Sequence, residues 1–103
     1  MSGPPSPTWE FLTKHAQVLV CIAQDPGVRL REIGERVGIT ERAAYRIVAQ
    51  LSEAGYLTRT REGRRNRYTI DAQLPIPDAV AHEQSVGELL KIVTGAARPA
   101  GQR

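Results

Sequence analysis

Residues 30–57 read LREIGERVGITERAAYRIVAQLSEAGYL, and the spacing within them decides the fold. Leu30, Ile33 and Val37 recur at helical intervals, which predicts a short helix over residues 31–37 with those three side chains inward. Gly38 follows as the residue free to take positive φ past a helix end. Thr40 then offers an N-cap to a longer helix, Glu41–Ala54, whose inward positions are Ala44, Ile47, Val48 and Leu51. Gly55 closes it in the same way.

The pattern changes period after Gly55. Tyr56–Arg61 and Asn66–Ile70 read as two strands around a turn at Glu62-Gly63-Arg64-Arg65, with Tyr68 and Ile70 on one face. Upstream, Thr8 offers a cap to a helix from Trp9 to Gln24. One apolar stripe of that helix runs through residues 9, 12, 16, 19, 20 and 23. A second stripe is Phe11, His15, Val18 and Ile22, and a helix with two apolar faces has two partners to find, the domain core for one and the C-terminal helix or a second subunit for the other. Asp25-Pro26-Gly27 is turn chemistry, and Val28–Leu30 leaves room for no more than a brief strand. Downstream, the linker Gln73-Leu74-Pro75-Ile76-Pro77 leads to a last helix over Asp78–Thr94, with Val86, Leu89, Leu90 and Val93 as its stripe. The organisation expected is a disordered arm at 1–7, a folded unit at 8–72, a linker and dimerisation helix at 73–94, and a disordered tail at 95–103.

In this order of elements the chain resembles the winged helix-turn-helix regulators. Leu30–Thr40 looks like the first helix and turn of that motif. Ala44, Leu51 and Glu53-Ala54-Gly55-Tyr56-Leu57 look like the recognition helix and its exit. Glu62-Gly63-Arg64-Arg65-Asn66-Arg67-Tyr68 is similar to the wing of MarR- and ArsR-like regulators. The resemblance implies a mainly α fold with a small β-hairpin wing and an added C-terminal helix. It also implies a cytoplasmic, bacterial transcriptional regulator that binds an inverted-repeat operator in double-stranded DNA as a homodimer. MarR-type proteins are longer and dimerise through extended terminal helices, whereas this chain offers one shorter helix at each end. The two stripes Phe11, His15, Val18, Ile22 and Val86, Leu89, Leu90, Val93 are therefore the expected dimer interface. ArsR-type metal sensors carry clusters of Cys, His or carboxylate ligands. Here Cys21, His15 and His82 are scattered, so no metal and no other cofactor is expected.

Recognition follows from the chemistry of the outward positions. The N-terminal part of a helix reaches base edges in a major groove. Inward residues aside, the long helix presents Glu41, Arg42, Ala43, Tyr45, Arg46, Ala49 and Gln50. Arg42 and Arg46 stand one turn apart and suit guanine O6 and N7, Gln50 suits adenine, and Ala43 admits a thymine methyl. Tyr45, Thr40 and Arg31, which opens the preceding helix, suit phosphates. Arg64, Arg65 and Arg67 belong to the wing. Arg59, Arg61 and Arg67 are weaker candidates than Arg64 and Arg65, because alternation sends some of them away from any groove, and of the three Arg67 is kept in the interface. The competing reading of each arginine is a solvated charge, which at a hairpin also blocks edge pairing; Tyr45 has packing against the second helix as its competitor.

Composition bounds the alternatives. The chain has 103 residues and a net charge of +3, so it is one domain by length and its overall charge argues little. Twelve of its fourteen basic residues are arginine, which suits phosphate recognition by planar forks or an arginine-rich genome; the cluster of five between residues 57 and 67, against the single acid Glu62, is the sharper signal. A lone cysteine cannot form an internal disulfide, which fits a reducing compartment, and Cys21 among apolar neighbours reads as a small buried hydrophobe. The longest apolar run, Val18–Ala23, is too short to cross a bilayer, and residues 1–7 lack the regions of a signal peptide. No nucleophile motif, phosphate loop or cofactor fingerprint is present, so no enzyme is expected. A protein–protein module on the same fold and a nucleic-acid binder without sequence preference are the alternatives to a specific regulator, and any small-molecule effector is unidentified.

Overall fold

The computed structural model describes residues 7–95. Most of the expected arm at 1–7 and tail at 95–103 therefore lies outside the described residues. Four helices and one hairpin follow in chain order: α1 (Lys14–Gln24), α2 (Leu30–Val37), α3 (Glu41–Glu53), β1 (Leu57–Glu62), β2 (Arg65–Ile70) and α4 (Val86–Thr94).

The first helix begins later than its apolar stripe suggests. Its cap is Thr13, not Thr8: the Thr13 hydroxyl accepts from the Ala16 N–H at 3.1 Å, a device worth about 1 kcal/mol. The Gln17 amide then donates to the Leu12 carbonyl and seals the turn before it. Trp9 and Phe11 precede the helix, with their rings edge to face at a centroid distance of 5.0 Å.

Four helices and the base of the hairpin enclose the core. Val18 and Ile22 of α1, Ile33 of α2 and Ala44 of α3 are its most deeply buried members, joined by Leu57 and Tyr68 from the hairpin and Val86 and Leu90 from α4. This corrects the expected dimer interface. Val18 and Ile22 are 0% and 1% exposed, because the core that α1 shares with α2, α3 and the hairpin takes them in. Val86 and Leu90 are buried with them. Of the eight residues, Phe11, His15, Leu89 and Val93 keep accessible surface.

The hairpin is antiparallel with Leu57 opposite Ile70, Arg59 opposite Tyr68 and Glu62 opposite Arg65. The strands run one residue closer to the tip than expected and leave a two-residue loop, Gly63-Arg64. Gly63 has φ +61° and, among the described residues, no non-glycine residue has positive φ, which is the signature of a type II′ turn, whose twist matches that of the strands. The brief strand expected at Val28–Leu30 does not form. One backbone bond stands in its place, from the Tyr68 N–H to the Pro26 carbonyl at 2.9 Å.

The last helix also starts later than expected. Asp78 does not cap it; its carboxylate accepts from the N–H groups of Val80 and Ala81 and closes a local turn instead. Those two backbone bonds hold the Asp78 carboxyl below the usual carboxylate range, so the turn is firm above that range and loosens as pH falls through it. The helix begins at a reciprocal Ser85–Glu88 capping box. Its first N–H groups are met by the linker, Val86 by the Leu74 carbonyl and Gly87 by the Ala72 carbonyl. α4 is thus docked at its N-terminus by backbone, and along its length by Val86 and Leu90.

Candidate nucleic-acid interface

The core claims Ala44, Ile47, Val48 and Leu51 of α3, and helical geometry then puts Arg42, Arg46 and Ala49 on the opposite side. Both arginines are exposed. Among the described residues the only ion pair is Lys14–Glu10, so neither guanidinium is neutralised by a carboxylate. Thr40 caps the helix by accepting from the Ala43 N–H at 3.0 Å, which leaves its own O–H free to donate.

The two flanks of α3 differ in what they face. Ala43 and Gln50 lie on the flank turned toward α1, where Gln50 Oε1 accepts from His15 Nε2 at 2.7 Å. Gln50 is expected to read adenine, but this bond draws its amide to α1 and away from the stripe of Arg42 and Arg46. Glu41 and Tyr45 lie on the flank turned toward the hairpin. Tyr45 is 58% exposed and borders a hollow of about 480 Å³ between α3 and the hairpin.

The arginines of the hairpin sort into distinct roles. Arg31 from α2 meets Arg64 and Arg65 around a second hollow of about 460 Å³, with Glu41 on its rim. Arg64 sits at the tip, exposed, without a hydrogen bond to any described residue. Arg65 does not stand free: its Nη2 donates to the Gly27 carbonyl at 2.9 Å and braces the hairpin against the turn between α1 and α2. Arg61 bends back so that its Nε donates to the Gly63 carbonyl. Arg67, opposite Thr60, is on the outer face of the ribbon. Arg59, left off the expected interface, is opposite the buried Tyr68 and lines the hollow beside α3. The signal for it was available: an inward Leu57 fixes Arg59 on the same face, two residues along.

The strut at Arg65 has a measurable consequence. A two-stranded ribbon is marginal by itself, so Arg65→Ala is expected to cost about 1 kcal/mol and to speed amide exchange across residues 60–67. Arg64→Ala should leave that exchange unchanged. Equal exchange in the two variants would remove the strut from the account.

A third, apolar hollow of about 200 Å³ lies between α1 and α4, bordered by Leu12, His15, Leu19, Tyr56, Ile76 and Leu89 among others. Cys21 is buried, and desolvation raises its thiol pKa despite the nearby Arg36 charge, the opposite of what a reactive thiolate needs. Among the described residues no group of three or more His, Cys, Asp or Glu converges in a way that could hold a metal ion. No helix of the described residues is long and apolar enough to cross a membrane.

A family model described as MarR family matches residues 11–67, more than half of the chain. The chain belongs to the MarR family. The match spans α1, α2, α3 and the hairpin as far as Arg67, and α4 lies beyond it. Among solved structures, this MarR chain is similar to a MarR family protein of Mycobacterium tuberculosis in complex with salicylic acid, at 22% identity and a TM-score of 0.53 over 84% of this chain and 60% of that one. It is similar to the PcaV transcriptional regulator of Streptomyces coelicolor in complex with its natural ligand, at 24% identity and a TM-score of 0.51 over 88% and 65%. A third similar structure is IscR of T. potens, with 20% identity and a TM-score of 0.57 over 91% and 95%. The chain therefore spans less than two thirds of the length of the first two of these proteins. These likenesses show the fold, a winged helix with one added C-terminal helix. No curated protein matches the chain.

Proposed function

We propose that this MarR-family protein is a transcriptional regulator that binds double-stranded DNA sequence-specifically as a homodimer. The observation that carries the reading is the exposed face of α3. Arg42 and Arg46 stand one turn apart, free of carboxylates, on a helix capped by Thr40, beside a hairpin tipped by Arg64. A helix of that kind fits a major groove, and its arginines match guanine O6 and N7. Arg31 and Arg64 suit backbone or minor-groove contact. Arg67, on the outer face, is a weaker phosphate candidate, and Gln50 leaves the reading set because His15 holds it.

Exposed apolar surface supports the dimer. Phe11, Val80 and Ile92 are 91%, 92% and 73% exposed, and Trp9 and Val93 add to them. A two-fold dimer covering the outer face of α4, the turn around Val80 before it and the segment before α1 would hide this surface and direct two α3 helices to two half-sites of an inverted repeat. Wild-type protein is expected to sediment as a dimer at micromolar concentration; a monomer there contradicts the reading. The ligand complexes of two structural neighbours support a small-molecule effector, and the apolar hollow between α1 and α4 is the place for it, since the His15–Gln50 bond on its border leads to α3.

The test is a mobility-shift titration with a duplex selected from random sequence, against a scrambled competitor, at two salt concentrations. Strong preference for the selected duplex supports a specific regulator. Equal, steeply salt-dependent binding to both would mean a non-specific nucleic-acid binder, and no binding to either would favour a protein–protein module.

A further inference from the structure

We infer that Arg59, with the hydroxyl of Tyr45, holds the backbone phosphate of the DNA strand that separates the two grooves this protein enters. The inference rests on the functional reading above and adds a site that reading does not contain. With α3 in a major groove and the hairpin tip in the adjoining minor groove, a sugar–phosphate strand has to cross the space between helix and hairpin. In this protein that space is the hollow of about 480 Å³. Leu30, Val48 and Tyr68 form its apolar floor, Tyr45 and Ser52 border it from α3, and Arg59 borders it from the hairpin.

The rim offers a phosphate one guanidinium, from Arg59, and one phenol, from Tyr45. Arg59 is exposed and makes no ion pair, although Glu53 shares the same rim. Its position is set by register, opposite Tyr68, whose burial turns that face of the ribbon toward α3. A guanidinium presents planar donors that fit a phosphate in bidentate fashion, and the exposed Tyr45 phenol adds a neutral donor from the other wall. Arg61 lies on the same face but is bent back to the Gly63 carbonyl. Arg59 is therefore the cation of that face left to meet a strand in the hollow.

Salt dependence of binding reads this out. In Arg59→Gln, the slope of log K against log salt on the selected duplex should flatten by roughly 0.9 per protomer. Affinity for selected and scrambled duplexes should fall by a similar factor. Arg59→Lys should keep the slope, and Tyr45→Phe should weaken binding without changing it. A single neutral methylphosphonate at the bridging position of each half-site should weaken the wild type and leave Arg59→Gln unaffected. An unchanged slope in Arg59→Gln, in protein whose operator binding still depends on Arg42 and Arg46, overturns this inference alone. Failure of the wild type to bind any duplex overturns it together with the functional reading.

Discussion

Replacing Gly34 with valine is expected to abolish cooperative folding of the chain. Gly34 is buried in α2 at the point where the α2–α3 turn crosses over it. A Cβ at this position would lie 2.7 Å from the Ile39 carbonyl oxygen, 3.3 Å from the Thr40 carbonyl carbon and 3.4 Å from the Glu41 nitrogen. All three are backbone atoms, and the backbone there is not free to retreat. The N–H groups of Gly38 and Ile39 both donate to the Gly34 carbonyl, at 2.8 and 2.9 Å, and Thr40 is fixed as the cap of α3. Ile33 and Ala44, on the two helices that meet here, are completely buried, so any shift of α2 from α3 opens the core. The alanine variant is the diagnostic one. Glycine to alanine inside an ordinary helix gains up to about 1 kcal/mol; here overpacking should instead cost about 1–3 kcal/mol. Valine adds two more carbons to the same clash, in a domain whose total stability is on the order of 5–15 kcal/mol. Chemical denaturation followed by circular dichroism measures both. A Gly34→Ala protein more stable than wild type would show that the turn does not press on α2.

The second large effect belongs to recognition. Arg42→Ala and Arg46→Ala are each expected to cost about 1–3 kcal/mol per contact on the selected duplex, twice in a symmetric dimer. Because 1.4 kcal/mol is tenfold, the pair together should erase most sequence preference while leaving weak, salt-dependent binding through Arg31, Arg59 and Arg64. Both side chains are exposed and unpaired, so stability should hold, and thermal melts of the variants should overlay the wild type. Arg64→Ala is the contrast. It should flatten the salt slope by about 0.9 per protomer and reduce affinity for selected and scrambled duplexes alike.

What the sequence disclosed and what it withheld divide along a physical line. The stripe Ala44, Ile47, Val48, Leu51, the caps around Thr40 and the alternation of Leu57 and Tyr68 are local signals, and α2, α3 and the hairpin were legible from them. Starts of helices were less so. Thr8 and Thr13 both precede the same apolar stripe, and only the Thr13 hydroxyl meets an N–H of the helix. Asp78 and Ser85 compete in the same way before α4, and the Asp78 carboxylate is spent on a turn. Partners far apart in the chain left no local trace. Arg65 finds Gly27 across 38 residues and Gln50 finds His15 across 35, which turned one expected DNA contact into a strut and held another against α1. Val18 and Ile22 sit in the domain core, and nothing within α1 tells which of its two apolar faces the core takes. Arg59 was recoverable by period-two counting from Leu57.

The central claim is that α3 lies in a major groove with Arg42 and Arg46 on guanine edges. Methylation of guanine N7 in the selected duplex, followed by separation of bound from free DNA, tests it directly, since N7 is a major-groove acceptor that arginine uses. One or two guanines in each half-site are expected to exclude the duplex from the wild-type complex when methylated, and that exclusion is expected to be lost in the Arg42→Ala, Arg46→Ala double variant. A duplex bound tightly and selectively while every guanine tolerates N7 methylation would contradict it.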